Sequence, residues 1–126
     1  MRLLLDTHVV LWAFDDPMSV SPVLREALRR RTGAAVNAAS LWEIAIKTAK
    51  GKLEAPDDLP ARLAQAGFEI LAVTPRHAWA VRDMPPVLRA ADPFDRLLYT
   101  QAPLEGLTLA TRDGALLRSG LDVLKA

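Results

Sequence analysis

The chain has no cysteine and only two histidines, His8 and His77. The first absence excludes a disulfide framework, a thiolate zinc site and a cysteine nucleophile. Two histidines cannot by themselves make a histidine-rich zinc site. No apolar stretch approaches the ~20 residues of a membrane span. The opening residues are apolar, but they lack a clear basic region and Asp6 interrupts them, so they do not read as a signal peptide. A cytoplasmic protein, with no membrane partner, is the expectation. Excess charge of one sign is missing too: 16 basic and 15 acidic residues give a net charge of +1. That balance neither demands nor excludes a nucleic-acid partner, because local clustering matters more. What is present is enough for one domain. The 126 residues can bury a real core. An apolar fraction of 51% is on the rich side of ordinary, and an interface would absorb the excess as well as a core would.

The chain opens on Arg2-Leu3-Leu4-Leu5-Asp6-Thr7-His8. A short apolar run bounded by polar residues fits a strand buried on both faces, as in a parallel sheet. Val9, Val10, Leu11, Trp12 and Phe14 then suit a helix that Asp15-Asp16-Pro17 ends. Asp6 sits where strand turns into helix, the edge at which open α/β sheets hold ligands. It either caps the helix, since Asp is a favoured N-cap residue, or serves a site. Ser19 to Ser21 with Pro22 starts a second helix. Val23, Leu24, Ala27 and Leu28 are its apolar stripe, and Gly33 is expected to stop it. The run Arg29-Arg30-Arg31 reads first as a solvated helix end favoured by the macrodipole and second as a phosphate contact.

Ala34-Ala35-Val36-Asn37 is expected as the second strand, and Ser40-Leu41-Trp42-Glu43 has the form of a capping box opening the next helix. A capping Glu43 needs no catalytic duty, although it follows the second strand at the edge where Asp6 sits. Leu59 to Ala66 is a short helix stopped by Gly67, and Phe68 to Val73 alternates as a third strand. Thr74-Pro75 opens a helix through Arg82, in which His77 reads as structural or exposed. Asp92 followed by Pro93 is a good helix start, with Asp95 in the first turn on the same side. The fourth strand falls near Leu107 to Ala110, a short helix holds Leu116 and Leu117, and Leu121 to Leu124 is a last strand.

Alternating strand and helix argues a parallel sheet with helices on both faces. Right-handed crossovers put every strand's carboxyl end on one edge. With a strand order of 3-2-1-4-5, Asp6 and Asp113 would face one another, flanked by Glu43 and Asp95. Four carboxylates in one pocket repel each other, and some would protonate without a counter-charge. Hard divalent cations resolve this: Mg²⁺ or Mn²⁺ takes oxygen ligands at ~2.0–2.1 Å and binds substrate phosphates. Two such ions ~3.5–4 Å apart can clamp the attacking and leaving oxygens. The chemistry implied is hydrolysis of a phosphodiester by water.

Four pieces in this order carry a resemblance: Leu4-Leu5-Asp6-Thr7-His8, Ala39-Ser40-Leu41-Trp42-Glu43-Ile44-Ala45-Ile46-Lys47, Asp92-Pro93-Phe94-Asp95-Arg96-Leu97-Leu98 and Leu109-Ala110-Thr111-Arg112-Asp113. On them the chain resembles the PIN-domain ribonucleases, and within these the VapC-type toxins of prokaryotic toxin–antitoxin pairs, over nearly its whole length. The resemblance implies a single α/β PIN domain over residues 1–126 with a five-stranded parallel sheet. It implies a ribonuclease using one or two Mg²⁺ or Mn²⁺ ions, with the acidic quartet Asp6, Glu43, Asp95 and Asp113 as metal-binding and catalytic residues. Asp92 is an extra acid that either binds metal through water or only caps its helix. Thr7, Ser40 and Thr111 offer hydroxyls to orient carboxylates or hold a water on the metal, and Lys47 offers a partner for an acid or a phosphate. RNA is the implied substrate. The implied partners are a cognate antitoxin that covers the site and a second copy of the chain, with larger toxin–antitoxin assemblies as an extension. Asn37 departs from the family's usual small hydroxyl residue and Tyr99 from its usual aliphatic, but neither removes a carboxylate. Val9, Trp12, Phe14, Leu24 and Leu28 would serve as contact surface or as ordinary core.

Three competing readings are weighed against this one. A non-catalytic PIN-fold module would hold RNA or protein without cutting, and a metal titration separates it from the nuclease. A phosphohydrolase with an aspartyl nucleophile would want a second acid two residues after Asp6, where His8 stands. A phospho-acceptor domain would want its Asp after the third strand, which runs into Thr74-Pro75.

Overall fold

The computed structural model describes residues 2–30 and 33–126; Arg31 of the basic run lies outside them. Five parallel strands form one sheet in the order β3-β2-β1-β4-β5: β1 Leu3–Leu5, β2 Ala34–Asn37, β3 Glu69–Leu71, β4 Thr108–Thr111 and β5 Val123–Lys125. The helices are α1 Thr7–Asp15, α2 Pro22–Arg29, α3 Ala38–Ala49, α4 Leu59–Gln65, α5 Pro75–Ala80, α6 Pro93–Leu104 and α7 Gly114–Leu117. Short 3₁₀ turns add Pro17–Ser19, Val81–Asp83 and Pro86–Leu88. The order is the one expected for this alternation of strand and helix. No helix among the described residues is long and apolar enough to cross a membrane.

The leucine run explains the layering. Successive strand side chains point to opposite faces. Leu3 and Leu5 therefore enter a core with Val9, Val10, Leu24, Val36, Ile44 and Leu63. Leu4 enters the other with Ala35, Leu98, Leu107, Leu109 and Leu116. Val9 and Leu24 are thus core, with Phe14 and Leu28 partly buried against it. Tyr99 packs against the second core, where burial, seconded by Asp122, raises its pKa.

Three expectations shift. Helix α2 ends at Arg29, capped by Arg30, before Gly33 is reached. Glycine is needed at 33 for closeness instead: a Cβ would stand 2.1 Å from the Ala27 carbonyl oxygen. The edge strands β3 and β5 are shorter than the apolar runs that announced them, because each has a strand on one side only. The helix opened by Thr74 breaks into a 3₁₀ turn after Ala80.

Candidate active site

Strand β1 delivers Asp6 to the carboxyl edge of the sheet. Asp6 occupies the N-cap position of α1 but makes no side-chain capping bond, so its carboxylate is left for other work. The parallel register sets Leu5 beside Ala110, which places Thr111 next to Asp6. Thr111 Oγ1 donates to Asp6 Oδ2 at 2.8 Å. Asp6 is 7% exposed. Burial raises its pKa, against the opposing pull of the Thr111 hydroxyl, the Thr7 backbone N–H and His8; Glu43 adds to the rise.

The other acids divide by what they already do. Asp113 caps α7, accepting from Leu116 N at 3.1 Å, and its own N–H donates to Thr111 Oγ1 at 3.0 Å. One threonine thus ties the two strand-end acids together. Asp92 caps α6 by accepting from Phe94 N at 2.8 Å. Asp95, in the first turn of α6, is half-buried with four carboxylates around it. Burial first, then the charges of Asp6, Asp92, Asp113 and Glu43, push its carboxyl up to about 7.

The capping-box reading of Ser40 and Glu43 is corrected. Helix α3 begins at Ala38, and its cap is Asn37, which accepts from Ala39 N at 2.6 Å. The Asn side chain starts the helix directly at the strand end, so Ser40 is already inside it. The Ser40 hydroxyl instead accepts from Thr7 Oγ1 at 3.1 Å, pinning the start of α1 to α3; both residues are buried. Freed from capping, Glu43 pairs with Lys47 Nζ at 2.7 Å, with its side chain 12% exposed. Asn37 also donates to Gln101, whose amide donates to the Ala72 carbonyl at 3.1 Å and approaches His77 Nδ1 at 3.2 Å. His77 in turn donates to Glu105 at 2.6 Å. This buried chain locks the start of α3, which carries Glu43, to α6, which carries Asp95. It accounts for Asn37 and makes His77 structural.

One cleft of about 320 Å³ is lined by Asp6, Glu43, Asp92, Asp95, Asp113 and Lys47, together with His8, Trp12 and Arg112. All five sequence-predicted acids and Lys47 therefore meet, with the Thr7, Ser40 and Thr111 hydroxyls buried. Among the described residues, no three acids are drawn tightly enough to hold an ion as they stand. Glu43 is engaged by Lys47, and Asp92 and Asp113 by their helix caps. The donor set suits a hard divalent cation: it is all oxygen, and the acids' mutual repulsion, which adds to burial in raising Asp95, is what a cation relieves. The acids' placement at the switch point between β1 and β4 follows the general rule for open α/β sheets. Arg29 lies elsewhere, exposed and paired with Glu26 at 3.2 Å.

Sequence reasoning missed His8, Trp12 and Arg112. His8 and Arg112 stand inside the motifs, and Trp12 is one helical turn from His8. Their signal was proximity to the acids, masked because Trp12 also fits an apolar helix stripe.

A sequence model of the PIN domain matches residues 3–120. The chain is 28% identical over 113 residues to "Ribonuclease VapC22" of Mycobacterium tuberculosis (strain ATCC 25618 / H37Rv), covering 88% of this chain and 86% of that one. Its fold is similar to that of a chain in VapBC2 from Rickettsia felis, solved with a DNA fragment from their promoter, at a TM-score of 0.70 and 18% identity over 99% of this chain and 98% of that one. A DNA-bound VapBC from Salmonella typhimurium gives 0.70 at 16% identity, covering 99% and 97%. A toxin–antitoxin complex from Klebsiella pneumoniae gives 0.63 at 17% identity, covering 98% and 97%.

Proposed function

The chain belongs to the PIN-domain family, and on that premise we propose that it is a metal-dependent endoribonuclease, the toxin of a toxin–antitoxin pair. The observation that carries the reading is the shared cleft of Asp6, Glu43, Asp92, Asp95 and Asp113. Similarity to a VapC ribonuclease supports RNA as substrate. The VapBC assemblies among its structural relatives support a cognate antitoxin as partner, and we propose that it occludes the cleft. A homodimer and a cytoplasmic site of action complete the proposal.

Asp6, Asp95, Glu43 and Asp113 would hold one or two Mg²⁺ or Mn²⁺ ions, with Asp92 at the rim. When bound there, a divalent cation would supply charge neutralisation for a phosphate and a lowered pKa for a water. Thr111 orients Asp6 and, through the Asp113 N–H, the turn that carries Asp113. Lys47 holds Glu43 at the cleft wall and partly offsets the acids' charge. Asp95, up at about 7, would have to be ionised to serve as a ligand.

The test is cleavage of total cellular RNA by purified protein with Mg²⁺, Mn²⁺ or chelator, read by sequencing the new ends, beside Asp95→Asn. Metal-dependent cuts at few positions, absent in the variant, are expected. No cleavage by folded, antitoxin-free protein under either metal would replace this reading with a non-catalytic PIN-fold binding module.

A further inference from the structure

The cleft has a second character beside its acids. Helix α1 buries Val9, Val10 and Leu11 but leaves Trp12 37% exposed, and its indole lines the cleft. His8, one turn earlier, stacks on it with ring centroids 6.2 Å apart and planes at 29°. The Arg112 guanidinium lies 4.4 Å from the Trp12 ring centroid. Arg112 does not turn to the five acids beside it: Nε donates to the Ala126 carbonyl at 3.1 Å, and its other arm donates to the Ser19 carbonyl. Two backbone anchors thus hold a planar cation against an exposed indole, in a cleft whose remaining lining is five acids, His8 and Lys47.

We propose that the His8–Trp12–Arg112 wall is a nucleobase subsite, taking the unpaired base of the nucleotide beside the scissile phosphate. The proposal rests on the nuclease reading of the same cleft. Proteins grip unpaired RNA bases by stacking them on aromatic rings and guanidinium planes. Arg is suited to the role because its flat, weakly hydrated cation stacks where Lys cannot. The wall and the acids share one cleft of about 320 Å³, so a base against the wall leaves its own phosphate within the acidic half. Arg112 also places fixed positive charge where the backbone must pass five carboxylates. A base held in a duplex cannot reach the wall, so the subsite selects unpaired nucleotides.

The test measures binding and turnover separately. In an Asp95→Asn background, which does not cut, a short oligouridylate and its abasic counterpart of the same length are titrated against protein with Trp12, Trp12→Phe or Trp12→Ala. Losing one base-stacking platform should raise the oligouridylate Kd about tenfold for Trp12→Ala, while Trp12→Phe stays within about threefold. Affinity for the abasic strand should be the same in all three. In the active protein, Trp12→Ala should raise KM by a similar factor and leave kcat within about twofold, as expected when binding common to ground and transition states is lost. His8→Ala, at an exposed position, should show a smaller loss of the same kind and carries the comparison should Trp12→Ala fail to fold. Active protein with KM and Kd unchanged by these substitutions would overturn the subsite and leave the nuclease reading standing. Equal losses for the abasic strand would reduce the wall to a structural role. Protein that neither binds nor cuts single-stranded RNA would overturn both.

Discussion

Asp95→Asn should stabilise the metal-free protein while ending its activity. The carboxyl is lifted from 3.8 to about 7. At about 1.36 kcal/mol per pH unit, that gap puts an upper bound of about 4 kcal/mol on the cost of ionising Asp95 within the fold. Asp95 is only half-buried and solvent screens its neighbours' charges, so roughly 2 kcal/mol is the expected gain. The sign follows from linkage. The folded carboxyl holds its proton more tightly than the unfolded one. The contribution of Asp95 to wild-type stability is therefore at its most favourable below about pH 4, falls progressively as pH rises to about 7, and falls no further above that. Asparagine carries no charge, so the variant's advantage should open over the same window. Urea unfolding in chelator, from about pH 4 to pH 8, reads this as a rising difference in midpoint at constant slope. Saturating Mg²⁺ should shrink the difference, because only the wild-type quartet gains fully from the ion. A variant no more stable than wild type at neutral pH in chelator would refute the crowding of charge around Asp95.

Thr111→Val removes the donor to Asp6 and the acceptor for Asp113 N–H at nearly constant volume. It should raise the Mg²⁺ needed for half-maximal cleavage by about tenfold or more, read by a metal titration of activity. Lys47→Met unpairs Glu43. It should cost about 1 kcal/mol in chelator while lowering the Mg²⁺ requirement, since the freed carboxylate competes for the ion; urea unfolding and the same metal titration check both. Arg29→Ala should leave RNA affinity and its salt dependence unchanged, because Arg29 pairs with Glu26 outside the cleft; a shallower slope of log Kd against log salt would place phosphate there.

The centre of the sheet was legible because its signals are covalently local. Three leucines ending in Asp6, and a second strand ending in Asn37, announce buried parallel strands and the edge where they stop. Once that edge is known, Asp6 and Asp113 must neighbour each other, and the acid cluster follows. The start of α3 was misread because two polar residues competed for the cap. Ser40 and Glu43 match a capping pattern, but Asn37 stands earlier and closes the helix at the strand end. Edge-strand limits depend on where a neighbour stops pairing, which no local pattern records. The ring wall was invisible for a different reason: Trp12 and Arg112 lie a hundred residues apart and meet only because β1 and β4 pair.

The central claim is that the acidic quartet is a divalent-cation site, and a Mn²⁺ titration followed by electron paramagnetic resonance tests it most directly. Saturable uptake of one or two ions per chain, lost in Asp6→Asn and Asp95→Asn proteins that remain folded, is the predicted result. Binding that does not saturate, or that both variants retain at wild-type strength, would contradict it.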